Sequence, residues 1–244
     1  MTTPEDEERK AMSEFIDRHL AFTTRLVRVQ DGKPMSGGSG ILYHKDKRLF
    51  LLSVLHVFER DGWLMETDFV VKDRPLCMDI PSVNWLVSVK LEQGEISEPS
   101  DGLAWVEFDV ASLKKKVSVE EKKYGAEVSL PIYEGPIDVP ASADHVYGFA
   151  AYKNKKDNTP MGGWLVMRFP TCELYMEFIG FDQRGYYRFK LSRQHQGHDF
   201  YKGSSGAPIA DEQGRIVALV QGGCTEDNVI FGVPLNMYAK AILI

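Results

Sequence analysis

The chain has 244 residues, of which 43% are apolar and 26% are charged, and its formal net charge is −6. This composition is ordinary for a folded globular protein. The acidic balance argues against nucleic acid as the main partner, because binding to phosphates requires a basic surface. The sequence also lacks any apolar run close to the roughly 18 residues that a membrane-spanning helix needs, so we expect no membrane partner.

The opening residues and the cysteines bear on the cellular compartment. Residues 1–10 are polar and lack the apolar region of a secretory signal, so we expect a cytoplasmic protein. The three cysteines, Cys77, Cys172 and Cys224, leave at least one without a disulfide partner, and their separations match no metal-ligand spacing. We therefore expect free thiols, no metal and no cofactor.

Residues 3–20 predict an amphipathic helix. Thr3 can cap its N-terminal end, Pro4 suits the first turn, and the acidic residues 5–8 favour the positive end of the helix dipole. A single apolar stripe follows at helical spacing, formed by Met12, Phe15, Ile16 and His19. We expect this stripe to pack on the body of the protein.

From residue 22 the hydrophobic period becomes that of β-strands. Short runs rich in β-branched and aromatic residues are separated by clusters of Gly, Pro, Asp and Lys, and they lie at residues 23–29, 40–44, 49–53, 69–71, 85–91 and 103–108. Strands at this spacing, without helical patterns between them, predict an all-β barrel or sandwich. We interpret residues 22–125 as a first barrel.

A crossover at residues 109–140 separates this series from a second one. Mixed charges at 114–116 and 120–123 are typical of a solvated surface, and Pro131, Pro136 and Pro140 indicate an extended segment. The second series of strand-like runs lies at residues 145–150, 164–169, 174–181, 186–191, 215–221 and 229–233. We interpret residues 126–244 as a second barrel.

The segment Gly203-Ser204-Ser205-Gly206-Ala207-Pro208 precedes one of these strands. A serine flanked by small residues can lie on a tight turn where backbone N–H groups point inward and the hydroxyl faces a substrate carbonyl. This geometry suits a nucleophile for acyl transfer. A glycine-rich turn before a strand, without chemistry, is the simpler interpretation of the motif alone.

Three further segments resemble the signature blocks of one family. These are the runs G-S-G-I-L-Y at 38–43, L-S-V-L-H-V ending in Val57, and D-G-L-A-W-V-E-F from Asp101. Candidate residues then occur in the order His56, Asp101, Ser205, which is the chymotrypsin order and differs from the subtilisin and α/β-hydrolase orders. Together with G-S-S-G-A-P-I, these blocks resemble the trypsin/chymotrypsin superfamily over residues 22–238.

The resemblance implies a fold and a domain arrangement. It implies an all-β protein with two antiparallel six-stranded Greek-key barrels, the active site between them, an N-terminal helix at 1–21 and a short C-terminal helix. Together these parts form one trypsin-like peptidase domain. Secreted members usually carry several disulfides, so this chain is similar to the intracellular, disulfide-free members.

The resemblance also assigns roles to the candidate triad. Ser205 is the nucleophile and His56 is its general base, although a histidine between Leu55 and Val57 could equally be a satisfied core residue. The family pattern D-x-A would place Gly102 at the aspartate position. Either a local bulge brings Asp101 to His56, or the site is a Ser-His dyad, with Asp109 as a distant alternative.

The same resemblance predicts the remaining site residues. The backbone amides of Gly203 and Ser205 would form the oxyanion hole. Asp199, six residues before the nucleophile, would form the floor of the primary specificity pocket, with Gly223 and Gly232 as its walls, unless Asp199 lies on a loop of altered length and faces solvent. His195 and His198 are interpreted as loop residues without a metal.

These assignments predict a serine endopeptidase that forms an acyl-enzyme and cleaves after Arg or Lys, the side chains that Asp199 would bind. We expect a protein or peptide substrate and leave room for a regulatory protein partner. The alternative is a protease-like fold that lacks turnover and serves as a protein-binding module. A third interpretation is a protease that acts on one partner protein only.

Overall fold

The structure is a computed structural model, and it describes residues 4–71, 74–86, 91–92, 95–96, 102–125, 130–158 and 164–242. Ten strands belong to its N-terminal half: β1 Thr24–Gln30, β2 Lys33–Lys45, β3 Arg48–Val54, β4 Trp63–Val71, β5 Arg74–Asp79, β6 Asn84–Leu86, β7 Leu91–Glu92, β8 Glu95–Ile96, β9 Leu103–Phe108 and β10 Ile132–Tyr133. Six strands form the C-terminal half: β11 Val146–Asn158, β12 Trp164–Phe181, β13 Tyr187–Lys190, β14 Pro208–Asp211, β15 Ile216–Cys224 and β16 Val229–Pro234.

Strands β7 and β8 form a separate two-stranded sheet. The other eight N-terminal strands form a sheet with the order β5-β4-β1-β2-β3-β9-β6, in which β10 pairs with β2 beside this path. We call it the N-terminal sheet. All of its ladders are antiparallel except the parallel pairing of β10 with β2. The central strand β3 is buried at Leu49 through Val54, because it lies between β2 and β9. This sheet is the first of the two predicted β units.

The C-terminal strands form a closed barrel with the order β11-β12-β13-β16-β15-β14. We call it the C-terminal barrel. Its core contains large buried side chains, among them Tyr147, Phe149, Phe189 and Ile209. Two predicted strands, 164–169 and 174–181, are parts of the single strand β12, and β14 was not predicted. The all-β class with two β units is confirmed.

Three α-helices complete the described chain: α1 Pro4–Leu20, α2 Val110–Tyr124 and α3 Leu235–Ile242. Helix α1 packs on β11, where an added Cβ at Gly148 would overlap the Phe15 ring. Both terminal helices were predicted. None of the helices in the described ranges is long and apolar enough to cross a membrane.

Helix α2 corrects the prediction of an irregular, solvated crossover. The Asp109 carboxylate caps it by accepting hydrogen bonds from the Ala111 amide and the Ser112 hydroxyl, and Gly125 ends it with a φ of +68°. These hydrogen bonds lower the pKa of Asp109. Leu113 on its inner face is buried in the core of the N-terminal sheet. Asp109 is therefore a helix cap, which argues against it as a member of the triad.

Candidate active site

Ser205 is half-buried in a tight turn of residues 203–206, which we call the serine turn. Ser39 on β2 holds this turn in two ways. Its amide donates a hydrogen bond to the Ser205 carbonyl at 2.8 Å, and its hydroxyl donates to the Gly203 carbonyl at 2.8 Å. The serine turn of the C-terminal half is thereby fixed against the N-terminal sheet.

Gly206 must be glycine for two reasons. Its φ is +84°, which a side chain disfavours, and an added Cβ would overlap the Ser39 carbonyl oxygen and the Ser53 hydroxyl. Ser53 itself is buried and donates a hydrogen bond to the Ser39 carbonyl at 2.7 Å. The close approach of the serine turn to β2 and β3 therefore depends on the missing side chain.

His56 lies directly after β3, on a short 3-10 helix, Leu55–Phe58, where it is half-buried. The sequence predicted it at the end of a strand, and the structure instead ends β3 at Val54. The same strand thus supports both candidate groups, since Ser53 contacts the Ser39 carbonyl and His56 follows three residues later. His56 and the serine turn are both anchored on the β2–β3 hairpin.

The serine turn also carries two backbone donors that could form the oxyanion hole. The amides of Gly203 and Ser205 donate to no group in the described ranges, so both are available to a substrate oxygen. Gly203 has a φ of +91°, which suits glycine.

Asp101 lies outside the described residues, so its role stays a prediction. Its neighbour Gly102 is described, and the Gly102 carbonyl accepts a hydrogen bond from the Leu55 amide at 3.0 Å. The φ of Gly102 is +153°, which glycine adopts more readily than other residues. Because β3 and β9 pair Val54 with Leu103, the segment that begins at Gly102 lies beside the residue that precedes His56.

A cavity of about 530 Å³ opens beside the serine turn. We call it the serine-turn pocket. Its lining includes Gly203, Ser205, His195, Tyr201, Gly223 and Phe231. Gly223 was predicted as a wall, and it is part of the lining.

Gly232 was also predicted as a wall, and this prediction is wrong. An added Cβ at Gly232 would lie 2.9 Å from the Ala218 Cβ, 3.0 Å from Ile209 Cδ1 and 3.1 Å from Phe189 Cε2, so Gly232 faces the barrel core. Neighbouring residues on a strand face opposite sides, and Phe231 lines the pocket instead.

The structure also contradicts Asp199 as the pocket floor. Its side chain is 85% exposed, and its Oδ1 atom lies 2.5 Å from Nζ of Lys202. It is absent from the pocket lining. Asp199 belongs to a surface turn in which the carboxylate pairs with a lysine three residues ahead, so it leaves no buried anion for an arginine or lysine of the substrate.

His195 occupies the interior position instead. It is only 4% exposed, and its backbone amide donates a hydrogen bond to Oδ1 of Asn228 at 2.7 Å. Its Nδ1 atom accepts a hydrogen bond from the Gly197 amide at 3.0 Å, so the proton of the neutral ring lies on Nε2. Burial and the nearby His198 lower the pKa of His195 and favour this neutral form.

The Nε2 atom of His195 is buried and has no hydrogen-bond partner in the described ranges. It faces the backbone of Gly223, because an added Cβ there would lie 2.6 Å from Nε2. Leaving a buried donor unpaired costs about 1–3 kcal/mol. The sequence placed His195 in the correct loop but gave no sign of its burial.

Tyr201 and Glu173 support this histidine, and neither was predicted as a site residue. The Tyr201 ring lies 4.6 Å from the His195 ring between centroids, and its hydroxyl donates to Oε1 of Glu173 at 2.7 Å. Glu173 on β12 is buried and also accepts hydrogen bonds from Arg193. Burial and then the bond to Glu173 raise the pKa of Tyr201, so its hydroxyl stays a donor.

Metal and thiol chemistry receive no support from the described part of the chain. It contains no group of three or more His, Cys, Asp or Glu side chains that could hold a metal ion. It also contains no disulfide, and Cys172 and Cys224 carry free thiols. Burial raises the pKa of the Cys172 thiol, which disfavours the reactive thiolate.

Comparisons with known proteins relate this geometry to solved structures. No protein-family model and no curated protein sequence matches the chain. The serine endoprotease from Yersinia pestis is similar, with a TM-score of 0.52 and 13% identity over 95% of this chain and 65% of that protein. Human heparin binding protein has a TM-score of 0.55 and 14% identity, and the alignment covers 92% of this chain and 91% of that one.

A mutant of the tobacco etch virus protease has a TM-score of 0.50 and 9% identity, over 91% of this chain and 77% of that one. The chain therefore has the trypsin/chymotrypsin-like fold, as its sequence blocks predicted. It spans 65% of the length of the Yersinia protease. At identities of 9–14%, these similarities establish the fold only. The activity has to be argued from the residues of the site.

Proposed function

We propose that the protein is a serine endopeptidase with Ser205 as its nucleophile. The observation that carries the proposal is the serine turn, which presents a half-buried hydroxyl beside two amides without partners in the described chain. Ser39 locks this turn against the hairpin that leads into His56. Acyl transfer requires a nucleophile, oxyanion donors and a base, and these residues are the candidates for the three roles.

The proposed reaction gives each of these groups one role. The Ser205 Oγ atom attacks the carbonyl carbon of a peptide bond while an imidazole nitrogen of His56 takes the hydroxyl proton. The amides of Gly203 and Ser205 stabilise the negative oxygen of the tetrahedral intermediate. His56 then returns the proton to the leaving amine, and water hydrolyses the acyl-enzyme by the reverse sequence of transfers. Asp101 would orient His56 through its carboxylate.

Cleavage after Arg or Lys is not part of this proposal, because Asp199 lies on the surface and pairs with Lys202. Since the described lining of the pocket holds no carboxylate, a cationic side chain would lose its hydration there and gain no ion pair.

A protein-binding module without turnover is the second candidate. One of the similar structures is named for binding, since it is a heparin binding protein. The fold alone therefore does not decide between turnover and binding.

Cleavage of a denatured protein substrate by matched serine variants separates the two candidates. Ser204 is the control, because it lies in the same turn, is 1% exposed, and its hydroxyl has no partner in the described ranges. Ser205→Ala should reduce cleavage to the level without enzyme, whereas Ser204→Ala should retain it within about tenfold, since a neighbouring hydroxyl contributes no nucleophile. Equal activity of wild type and Ser205→Ala, or no cleavage by any form, would contradict the proposed activity.

A further inference from the structure

The serine-turn pocket contains a buried donor that the proposed reaction does not use. Nδ1 of His195 accepts from the Gly197 amide, so Nε2 carries the proton, and this Nε2–H finds no acceptor among the described residues. It faces Gly223 in the wall of the cavity. A buried donor with no partner is rare in folded proteins and requires an explanation, and His195 is part of the lining of this cavity.

The basic side chains that line the pocket also favour a ligand that brings an oxygen acceptor. Three other lining residues are Arg184, His198 and Lys202, and the lining in the described chain includes no carboxylate. Arg184 pairs with Asp182, and Lys202 pairs with Asp199, both outside the lining. The charges of Arg184 and Lys202 are thus partly compensated, whereas the buried Nε2 donor of His195 has no partner in the described chain. An arginine or lysine would bring only donors to this donor.

The donor is also held in place before any ligand binds. The amide of His195 is bonded to Asn228, and Thr225 Oγ1 lies 3.2 Å from its Nδ1. Tyr201 packs against the ring and is itself fixed by Glu173. Because the imidazole is fixed on three sides, binding an acceptor requires little reorganisation.

We propose that this pocket binds the side chain that precedes the cleaved bond, and that it selects one ending in a carbonyl or carboxylate oxygen: Gln, Glu, Asn or Asp. The His195 Nε2–H donates to that oxygen. The inference rests on the proposed peptidase function, since it assigns the substrate class of the same site. His195 is a specificity-determining residue in this account, and it takes no part in proton transfer to or from Ser205.

A peptide library with one fixed residue and randomised flanking positions tests the substrate class. Wild type should cleave after Gln, Glu, Asn or Asp at least about 100-fold more efficiently in kcat/KM than after Leu or Arg, because a pocket built around a polar contact rejects side chains that lack it. If wild type prefers Glu over Gln and added salt weakens that preference, the basic side chains of the pocket contribute to the selection. If peptides with Glu and Gln are cleaved at equal rates, the selection comes from His195 alone. Preferred cleavage after Arg, Lys or an apolar residue would overturn the inference.

Variants of His195 test whether this residue makes the selection. In His195→Leu, the ratio of kcat/KM for Gln or Glu to that for Leu should fall about 10- to 100-fold, the loss expected for one buried hydrogen bond. His195→Gln keeps a side-chain N–H donor and should recover part of the ratio. The control is His44→Leu on β2, outside the pocket lining, which should keep the wild-type ratio. An unchanged ratio in His195→Leu would contradict the assignment.

A binding measurement separates failure of this inference from failure of the proposed activity. Ser205→Ala protein is titrated by calorimetry with randomised peptides whose C-terminal residue is Gln, Glu, Leu or Arg. The inference predicts tighter binding of the Gln or Glu peptides, by about tenfold or more, and loss of this difference when His195→Leu is added. If wild type cleaves nothing while the difference in binding persists, the peptidase proposal fails and the pocket assignment stands. Equal binding of all four peptides would overturn the pocket assignment.

Discussion

The amide of Ser39 donates a hydrogen bond to the carbonyl of Ser205 at 2.8 Å. This contact joins a strand of the N-terminal sheet to the turn that carries the candidate nucleophile. The Ser39 carbonyl accepts from Ser53 on β3, and His56 follows that strand. Ser39 on β2 therefore bonds both to the turn that carries Ser205 and to the strand that precedes His56.

The first prediction concerns the close approach at Gly206. Gly206→Ala should lower the free energy of unfolding by about 3 kcal/mol or more. Alanine is strained at this positive φ, and its Cβ would overlap Ser39 and Ser53. Gly185→Ala is the matched control, because its φ is +87° but no atom lies within 4 Å of an added Cβ. The control should lose only about 1–2 kcal/mol in a denaturant titration. Equal losses would show that the overlap is unimportant.

The second prediction concerns Asp101. If its carboxylate orients His56, Asp101→Asn should reduce kcat by about 10⁴-fold, as in the chymotrypsin-type triad. The measurement is kcat on a peptide cleaved by wild type. A loss of less than about tenfold would instead indicate a Ser-His dyad. His56→Ala and Ser205→Ala should fall to a common lower limit, alone or combined, because residues that act as a unit are not additive.

The third prediction concerns the stability of helix α1 in acid. His19 is buried, and burial lowers its pKa from 6.5 to about 4. The unfolded chain therefore binds a proton at a higher pH than the folded chain does. The contribution of neutral His19 to the free energy of unfolding is fully present above pH 6.5. It decreases by about 3 kcal/mol as the pH falls from 6.5 to 4.

Denaturant titrations between pH 7 and pH 4 measure this loss. His19→Gln removes the titrating group, so its free energy of unfolding should depend less on pH than that of wild type over this range. Parallel curves for wild type and His19→Gln would contradict the assignment.

The fourth prediction concerns the support of His195. Tyr201→Phe removes the donor to buried Glu173 but keeps the ring against His195, so it should lower the free energy of unfolding by about 2 kcal/mol. Tyr175→Phe, at a tyrosine that is 53% exposed, should change it by less than about 0.5 kcal/mol. Thermal unfolding of both variants checks the difference. A stability of Tyr201→Phe equal to wild type would exclude the Glu173 bond as a support.

Much of the strand pattern was predictable because local sequence determines it. Strand β9, Leu103–Phe108, has the predicted bounds, and the run at 49–53 lies within β3. Helix α2 was missed although Val110, Leu113 and Val117 recur at helical spacing, because the surrounding lysines and glutamates were interpreted as surface alone. The sequence contained that signal.

The pocket was predicted less well, since its geometry depends on contacts distant in sequence. Counting back from Ser205 to Asp199 assumes a conserved loop length, and the structure turns this carboxylate outward to Lys202. His195 is buried by Asn228 and Tyr201, and the first of these lies 33 residues away. Neither contact can be read from the residues beside His195.

The central claim is that Ser205 is an activated nucleophile, and labelling with a fluorophosphonate probe tests it most directly. Such a probe reacts with a serine whose hydroxyl is activated by a base. Peptide mapping by mass spectrometry should place the adduct on Ser205 in wild type and in Ser204→Ala, and find none in His56→Ala. Absence of an adduct on Ser205 in the folded wild-type protein, or labelling that persists in His56→Ala, would contradict the account.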